Sequence, residues 1–339
     1  MLFRFFFILK HMNRYKLKSN CKVYYNNMQY VNRSKKMNIY EIKNTSFSAK
    51  INLSKGANCI SLRNIKAGIP ILREARDYEK PNHPFLYGMP ILFPVNRIKA
   101  GRFVFENREY QFQINENLTG CHLHGNLNQC EFELISSGPD FAVCYYRPKA
   151  KEDFFGGIHE FEVMILYRLT DKGLEQRTTI TNCSKYNMPL MIGFHTTFHV
   201  NNCTTSVCAG VTDHIERDEK QHLPTGKVLE KDSITEHLNK GTFMPAENGI
   251  SRHYKVGNQR NMYIYDYENK YSICYANSAN MGYRMIFNGE AKDYICLEPQ
   301  NCMIDCLNGP FDLDYSGFEF LKPGESETYH SSILWRNHG

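Results

Sequence analysis

The chain has 339 residues, 42% hydrophobic and 22% charged, enough apolar material to build a sizeable core, and no apolar run reaches membrane-spanning length. Its net charge of +6 is unevenly spread: residues 1–36 hold nine Lys or Arg and no acid, leaving 32 basic against 35 acidic residues after them. A body at −3 offers no electrostatic footprint for nucleic acid, and neither composition nor segment length argues for a membrane.

The basic segment 1–36 carries a short apolar cluster at residues 2–9, broken by Arg4 and followed by more basic residues rather than a small-residue cleavage site. It reads as a disordered extension, or as translated sequence upstream of a start at Met37, and not as a secretory signal. Residues 37–339 then read as one domain. Twelve cysteines are present without any C-x-x-C spacing. Cys144, Cys274 and Cys296 sit inside apolar, aromatic runs, as small hydrophobes of buried strands do. A chain of this length needs no disulfide staples, and a reducing cytoplasm is the expected home.

From residue 46 onward, short alternating runs come in pairs around turn residues. Runs at 46–53 and 59–63 flank Lys55-Gly56-Ala57, and runs at 102–105 and 110–114 flank Glu106-Asn107-Arg108. The same pattern predicts hairpins from 131–135 with 141–146, 161–169 with 174–180, 262–267 with 271–275, and 318–321 with 328–334. Helical periodicity is confined to residues 232–240. Strands joined by short turns, without intervening helices, exclude a parallel sheet, so the expected fold is all-β, a large antiparallel β-sandwich.

Four stretches place polar residues where strands end. In residues 88–98 an apolar run between prolines ends in Asn96-Arg97, whose amide and guanidinium offer the directional donors that sugar hydroxyls require. Arg97 would serve equally as half of a surface ion pair. In Cys121-His122-Leu123-His124-Gly125 a strand would turn both histidines to one face. That spacing also suits zinc, with His195 or Glu298 as a third ligand, but no convincing set is completed, and no metal is expected. Gly125 permits close approach beside His124, which makes His124 the substrate contact and leaves His122 structural.

The third stretch ends an apolar run at Gly193-Phe194-His195. A histidine there titrates near neutrality, as a group that gives and recovers a proton must. The fourth is Tyr294-Ile295-Cys296-Leu297-Glu298-Pro299-Gln300. Pro299 cannot donate to a sheet ladder, so the strand should break there and leave Glu298 at its mouth. A carboxylate among Cys296, Leu297 and Pro299 is costly to bury without a partner or a task. Gln300 is its hydrogen-bonding neighbour, Asp305 reads as a turn cap, and no basic neighbour activates Cys302 or Cys306.

Taken in order, Asn96-Arg97-Ile98 with Gly101, Leu123-His124-Gly125, Gly193-Phe194-His195-Thr196, Leu223-Pro224-Thr225-Gly226-Lys227, Leu297-Glu298-Pro299 and Lys322-Pro323-Gly324-Glu325 resemble the aldose 1-epimerase (galactose mutarotase) family from about residue 37 to the C-terminus. The resemblance implies a β-supersandwich, no cofactor and no metal, a small-molecule sugar as partner, and a monomer or homodimer. It implies exchange of the α and β anomers of a free aldose, with Glu298 as general base, His195 as general acid, and Arg97 and His124 orienting the substrate alongside Asn96 and Gln300. Base and acid would act from opposite sides of the C1–O5 region. The family's further acidic, sugar-holding residue has no counterpart here, where Ser251, Arg252 and His253 stand instead. A carbohydrate-binding or sensor protein without turnover therefore stays open, as does a hexose-6-phosphate 1-epimerase, for which Arg73, Arg76 and Arg252 are available.

Overall fold

The computed structural model describes residues 38–77, 83–148, 157–289 and 291–338. The basic segment 1–36 lies outside them, and the described residues belong to one compact unit, Met37–Gly339. Two eight-stranded antiparallel sheets dominate, as the pairing of alternating runs predicts.

The long hairpin Phe161–Leu169 with Gly173–Asn182 follows the period of two closely. Phe161, Val163, Ile165, Tyr167 and Leu169 are buried while the residues between them are half-exposed. One face packs on the core and the other meets water, which is how an antiparallel pair reads in sequence. These strands belong to the sheet built from Glu133–Ser137, Phe141–Tyr146, Phe161–Leu169, Gly173–Asn182, Ser326–Asn337, Tyr271–Asn277, Met262–Asp266 and Thr205–Cys208.

The second sheet runs Pro224–Leu229, Val211–Arg217, Ile250–Val256, Tyr283–Gly289, Tyr294–Gln300, Gly193–Phe194 and Ile91–Leu92, with Thr196–His199 also paired to Tyr294–Gln300. The two sheets meet where Phe198 packs edge-on to Tyr275 at 5.3 Å and the Thr196 hydroxyl bonds the Tyr275 hydroxyl at 2.7 Å. Their facing side chains join one core. A smaller four-stranded sheet, from Ile39–Lys43 to Ile69–Pro70, adds to it.

The helix Ser233–Lys240 forms where helical periodicity predicts it. The Asp232 side chain accepts from the Thr235 N–H at its N-terminus, and Gly241 closes it in the left-handed conformation at φ 74°.

Two expectations fail. Residues 318–321 and 328–334 do not pair with each other: Glu319–Leu321 pairs with Met188–Leu190, while Ser326–Asn337 lies between Gly173–Asn182 and Tyr271–Asn277. The turn at Lys322-Pro323-Gly324-Glu325 is present, but Asn182 bonds the backbone of Gly324 and Glu325 and diverts the two strands into different sheets. Nor does Pro299 break its strand, which runs unbroken from Tyr294 to Gln300. The Asn301 N–H donates to the Ile192 carbonyl, and backbone direction alternates, so the proline nitrogen faces the same neighbouring strand. Its missing N–H falls opposite Phe194, at the short gap between the pairings of Gly193 with Gln300 and of Thr196 with Leu297. One interrupted bond in the ladder absorbs the proline.

Candidate active site

The register that accommodates Pro299 also builds the site. Gly193 opposite Gln300 and Thr196 opposite Leu297 leave His195 directly across from Glu298. Directly opposed side chains on neighbouring strands share a face and meet. The His195 Nε2 accordingly lies 3.2 Å from the Glu298 Oε1, with the side chains 7% and 2% exposed. The two stand side by side on one sheet face, a correction to the expectation that they flank a sugar from opposite sides.

That face is turned away from the other eight-stranded sheet, which carries Tyr275. Ile295 and Leu297 pair with Phe198 and Thr196, which meet Tyr275, whereas Cys296, Glu298 and Gln300 project to the other side. All seven positions of the strand are nonetheless buried, so its polar side is covered too.

His124 reaches the pair from another segment. The strand Cys121–Leu123 ends before it, and His124 adopts a left-handed φ of 66°, so alternation does not carry His122 and His124 to a common face. The His122 Nδ1 bonds the Gln113 carbonyl at 2.7 Å, and its ring packs on Phe112. The His124 ring meets that of His195 edge-on at 5.3 Å and packs against Phe85 at 4.6 Å. Gly125 is required here: at φ 65°, a Cβ would lie 2.0 Å from the Phe93 carbonyl oxygen.

Asn96 ties these pieces together. Its Oδ1 accepts from the Arg97 N–H at 3.0 Å, and its carbonyl accepts from the His124 N–H at 2.9 Å. Arg97 Nε and Nη2 donate to the two oxygens of Glu116, both at 2.7 Å, with the side chains 15% and 22% exposed. Arg97 is thus an ion-pair partner and also a neighbour of the site, since its charge acts on both Glu298 and His124.

With the architecture and these positions in hand, comparison with known proteins is decisive. The aldose 1-epimerase family model matches residues 38–334. The chain belongs to the aldose 1-epimerase family. The uncharacterized protein YphB of Escherichia coli (strain K12) is 24% identical over 254 residues, 72% of this chain and 82% of its own length. A galactose mutarotase-like protein from Clostridium acetobutylicum superposes with a TM-score of 0.80 at 26% identity, over 90% of this chain and 100% of that one. The galactose 1-epimerase from Lactobacillus acidophilus NCFM shares the fold, with a TM-score of 0.68 at 15% identity over 92% and 98% of the two chains.

In this aldose 1-epimerase family member, burial dominates the electrostatics of the pair. It pushes the Glu298 carboxyl up to about 8, against the pull of Arg217 and then Arg97, and lowers the His195 imidazole to about 4. His124 falls well below its ordinary value through burial, with His195 and Arg97 adding to the effect. Gln300, fully buried two residues beyond Glu298 on the same face, lies close enough to favour the carboxylate but outside hydrogen-bond geometry.

Fourteen buried side-chain polar atoms among the described residues have no protein partner, and seven belong to His124, His195, His253, Glu298 and Gln300. Such atoms cost roughly 1–3 kcal/mol each, so their concentration on and beside one sheet face marks where a polar ligand would satisfy them. His195, Cys296 and Glu298 also bring one potential metal-ligand atom each within 4.8 Å of one another. Burial, and then the Glu298 charge, push the Cys296 thiol well up, against the thiolate such an ion would require.

Sequence reasoning missed Arg217, Glu116, Phe85 and the burial of His253. It also left Ser251, Arg252 and His253 without roles. Ser251 holds Arg217, Arg252 pairs with Asp232 at 2.7 Å, and His253 stacks on Tyr283 at 5.5 Å. Arg73, considered for a phosphate, pairs with Asp293 instead, so Arg73 and Arg252 are separately engaged. Asp305 accepts from the Lys99 N–H and the Asn308 amide, as a turn cap does.

Proposed function

We propose that this protein exchanges the α and β anomers of an aldose by ring opening, with Glu298 and His195 as its base and acid. The observation that carries this reading is their direct buried contact, ringed by polar atoms without partners on Glu298, His195, His124 and Gln300.

Anomer exchange needs the C1 hydroxyl to lose a proton while the ring oxygen gains one. Both oxygens are bonded to C1, so two groups side by side on one face reach them together. Burial holds the pair at one shared proton between about pH 4 and about pH 8, which is one acid and one base. Burial leaves that proton on the Glu298 carboxyl at rest; its transfer across the 3.2 Å contact to His195, aided by the positive charges of Arg217 and Arg97, gives the reacting form, carboxylate and imidazolium.

Glu298 then takes the O1 proton as His195 protonates O5 and the C1–O5 bond breaks. The aldehyde forms, the C1–C2 bond rotates, and the ring closes on the other face as both protons return. No electrons are exchanged with an external group. His124 and Arg97 would orient the hydroxyls, with Asn96 fixing their backbones and Gln300 offering its amide beside Glu298.

A positioned acid or base contributes about 10²–10⁴-fold. Glu298→Gln keeps the shape and removes the base, so polarimetry on galactose and glucose should show kcat lowered at least about 100-fold. Near-parental rates in that variant would remove Glu298 from the chemistry.

A further inference from the structure

The sheet face that carries Glu298 continues across three strands toward Arg217, which acts on Glu298 through its charge alone. Glu298 stands opposite Met285, Met285 opposite His253, and His253 opposite Ile215. Beyond Ile215 the register shifts and the strand Val211–Arg217 ends at Arg217, whose charge acts on Glu298. There the Arg217 Nη2 donates to the Ser251 carbonyl at 2.5 Å and to its hydroxyl at 3.1 Å. Among the described residues, the rest of the guanidinium has no hydrogen-bond acceptor.

Its electrostatic surroundings attract that charge without pairing it. Arg97 is neutralised by Glu116, Arg73 faces Asp293 and Arg252 faces Asp232. Among the described residues, Arg217 makes no ion pair with a carboxylate. The adjacent Asp218 attracts it as an ionised carboxylate, but its oxygens are taken up by the backbone N–H groups of Lys220, Gln221 and Leu223 and form no ion pair with the guanidinium. Glu298 faces Arg217 but shares its proton with His195. His214, His222 and His253 complete the titratable surroundings, each held toward its neutral form by burial. A partly buried guanidinium without a hydrogen-bonded anion is costly, and carboxylate and phosphate are the groups its fork fits best. A phosphate brings close to two negative charges, whereas among the described residues a single guanidinium has free donors here.

We propose that the aldose bound here carries a carboxylate, making the substrate class uronic acids, and that Arg217, held by Ser251, is the specificity residue that receives it. Turnover of such a sugar rests on the acid–base reading above; its binding does not.

The test separates the two. Binding of galacturonate, glucuronate, galactose, glucose and glucose 6-phosphate to the Glu298→Gln protein is measured by calorimetry, and anomer exchange of the same sugars by the parent protein is followed by NMR. Uronates should bind at least about tenfold tighter than the matching hexoses, the effect of one charge-assisted hydrogen bond. Adding Arg217→Gln should collapse that uronate-to-hexose ratio, and Arg217→Lys should recover part of it. Circular dichroism confirms that the variants fold. Equal binding of uronate and hexose, or a ratio unchanged by Arg217→Gln, overturns the assignment. So does tighter binding of glucose 6-phosphate than of glucuronate. Selective uronate binding without accelerated exchange upholds Arg217 and sinks the acid–base reading instead.

Discussion

A buried pair that shares one proton leaves a signature in stability as well as in rate. Unfolded, Glu298 and His195 titrate near their ordinary 4.5 and 6.5; folded, at about 8 and about 4. Between pH 4.5 and 6.5 both states hold one proton on the pair, so these groups leave stability flat. From 6.5 to about 8 the folded pair keeps a proton that the unfolded chain has lost, and stability falls with rising pH. Glu298→Gln removes only the carboxyl. What remains is His195, whose lowered value makes the variant gain stability as pH rises from about 4 to 6.5 and hold it above.

Subtracting parent from variant cancels every other group, and the difference should grow in the variant's favour by about 1.4 kcal/mol per pH unit from 4.5 to about 8, roughly 5 kcal/mol in all. Urea denaturation of both proteins at pH 5, 6, 7 and 8 measures it. A difference that stays constant across that range would show that Glu298 ionises in the fold as it does in water, and the desolvation argument would fall.

Two further outcomes follow from the same geometry. The profile of kcat/KM against pH should be bell-shaped, with limbs near about 4 and about 8, because a second proton on the pair leaves no base and loss of the first leaves no acid; a flat profile through pH 9 contradicts the shared-proton account. Gly125→Ala should destabilise the protein by at least about 2 kcal/mol in urea, through left-handed strain and collision with the Phe93 carbonyl, and unchanged stability would mean that the His124 turn can relax.

Much of the fold was legible because antiparallel strands with one wet face advertise their period, as Phe161–Leu169 does. The pairing of distant segments was not. That Glu298 meets His195 depends on a register spanning 103 positions, and local pattern carries no information about it. Arg217 escaped notice for a related reason. Its strand reads Val-Thr-Asp-His-Ile-Glu-Arg, five polar residues around two apolar ones, which is how an exposed strand looks. Only the sheet order, which brings Val211–Arg217 beside Ile250–Val256, turns Arg217 toward Ser251. Glu116 lies outside any strand, so nothing in its surroundings marked it as the partner of Arg97. His124 was singled out through Gly125, while strand alternation, which its left-handed backbone invalidates, gave it a shared face with His122; neither argument carried its packing against His195.

The strand Tyr294–Gln300 shows why such a site is hard to read from pattern alone. Ile295, Leu297 and Pro299 alternate with Cys296, Glu298 and Gln300, and that alternation ordinarily assigns the polar residues to water. Here Cys296 and Gln300 are fully buried and Glu298 is 2% exposed, so the second face is covered as thoroughly as the first. A solvated carboxylate and a buried one occupy the same place in the pattern and differ only in what lies above them. In this chain His195, His124 and Phe85 come from three separate segments. Their convergence converts an ordinary amphipathic strand into one whose carboxyl holds its proton to about pH 8. The chemistry therefore resides in the enclosure of Glu298 rather than in its strand, and substitutions at the covering residues should move its titration even where they leave the strand intact.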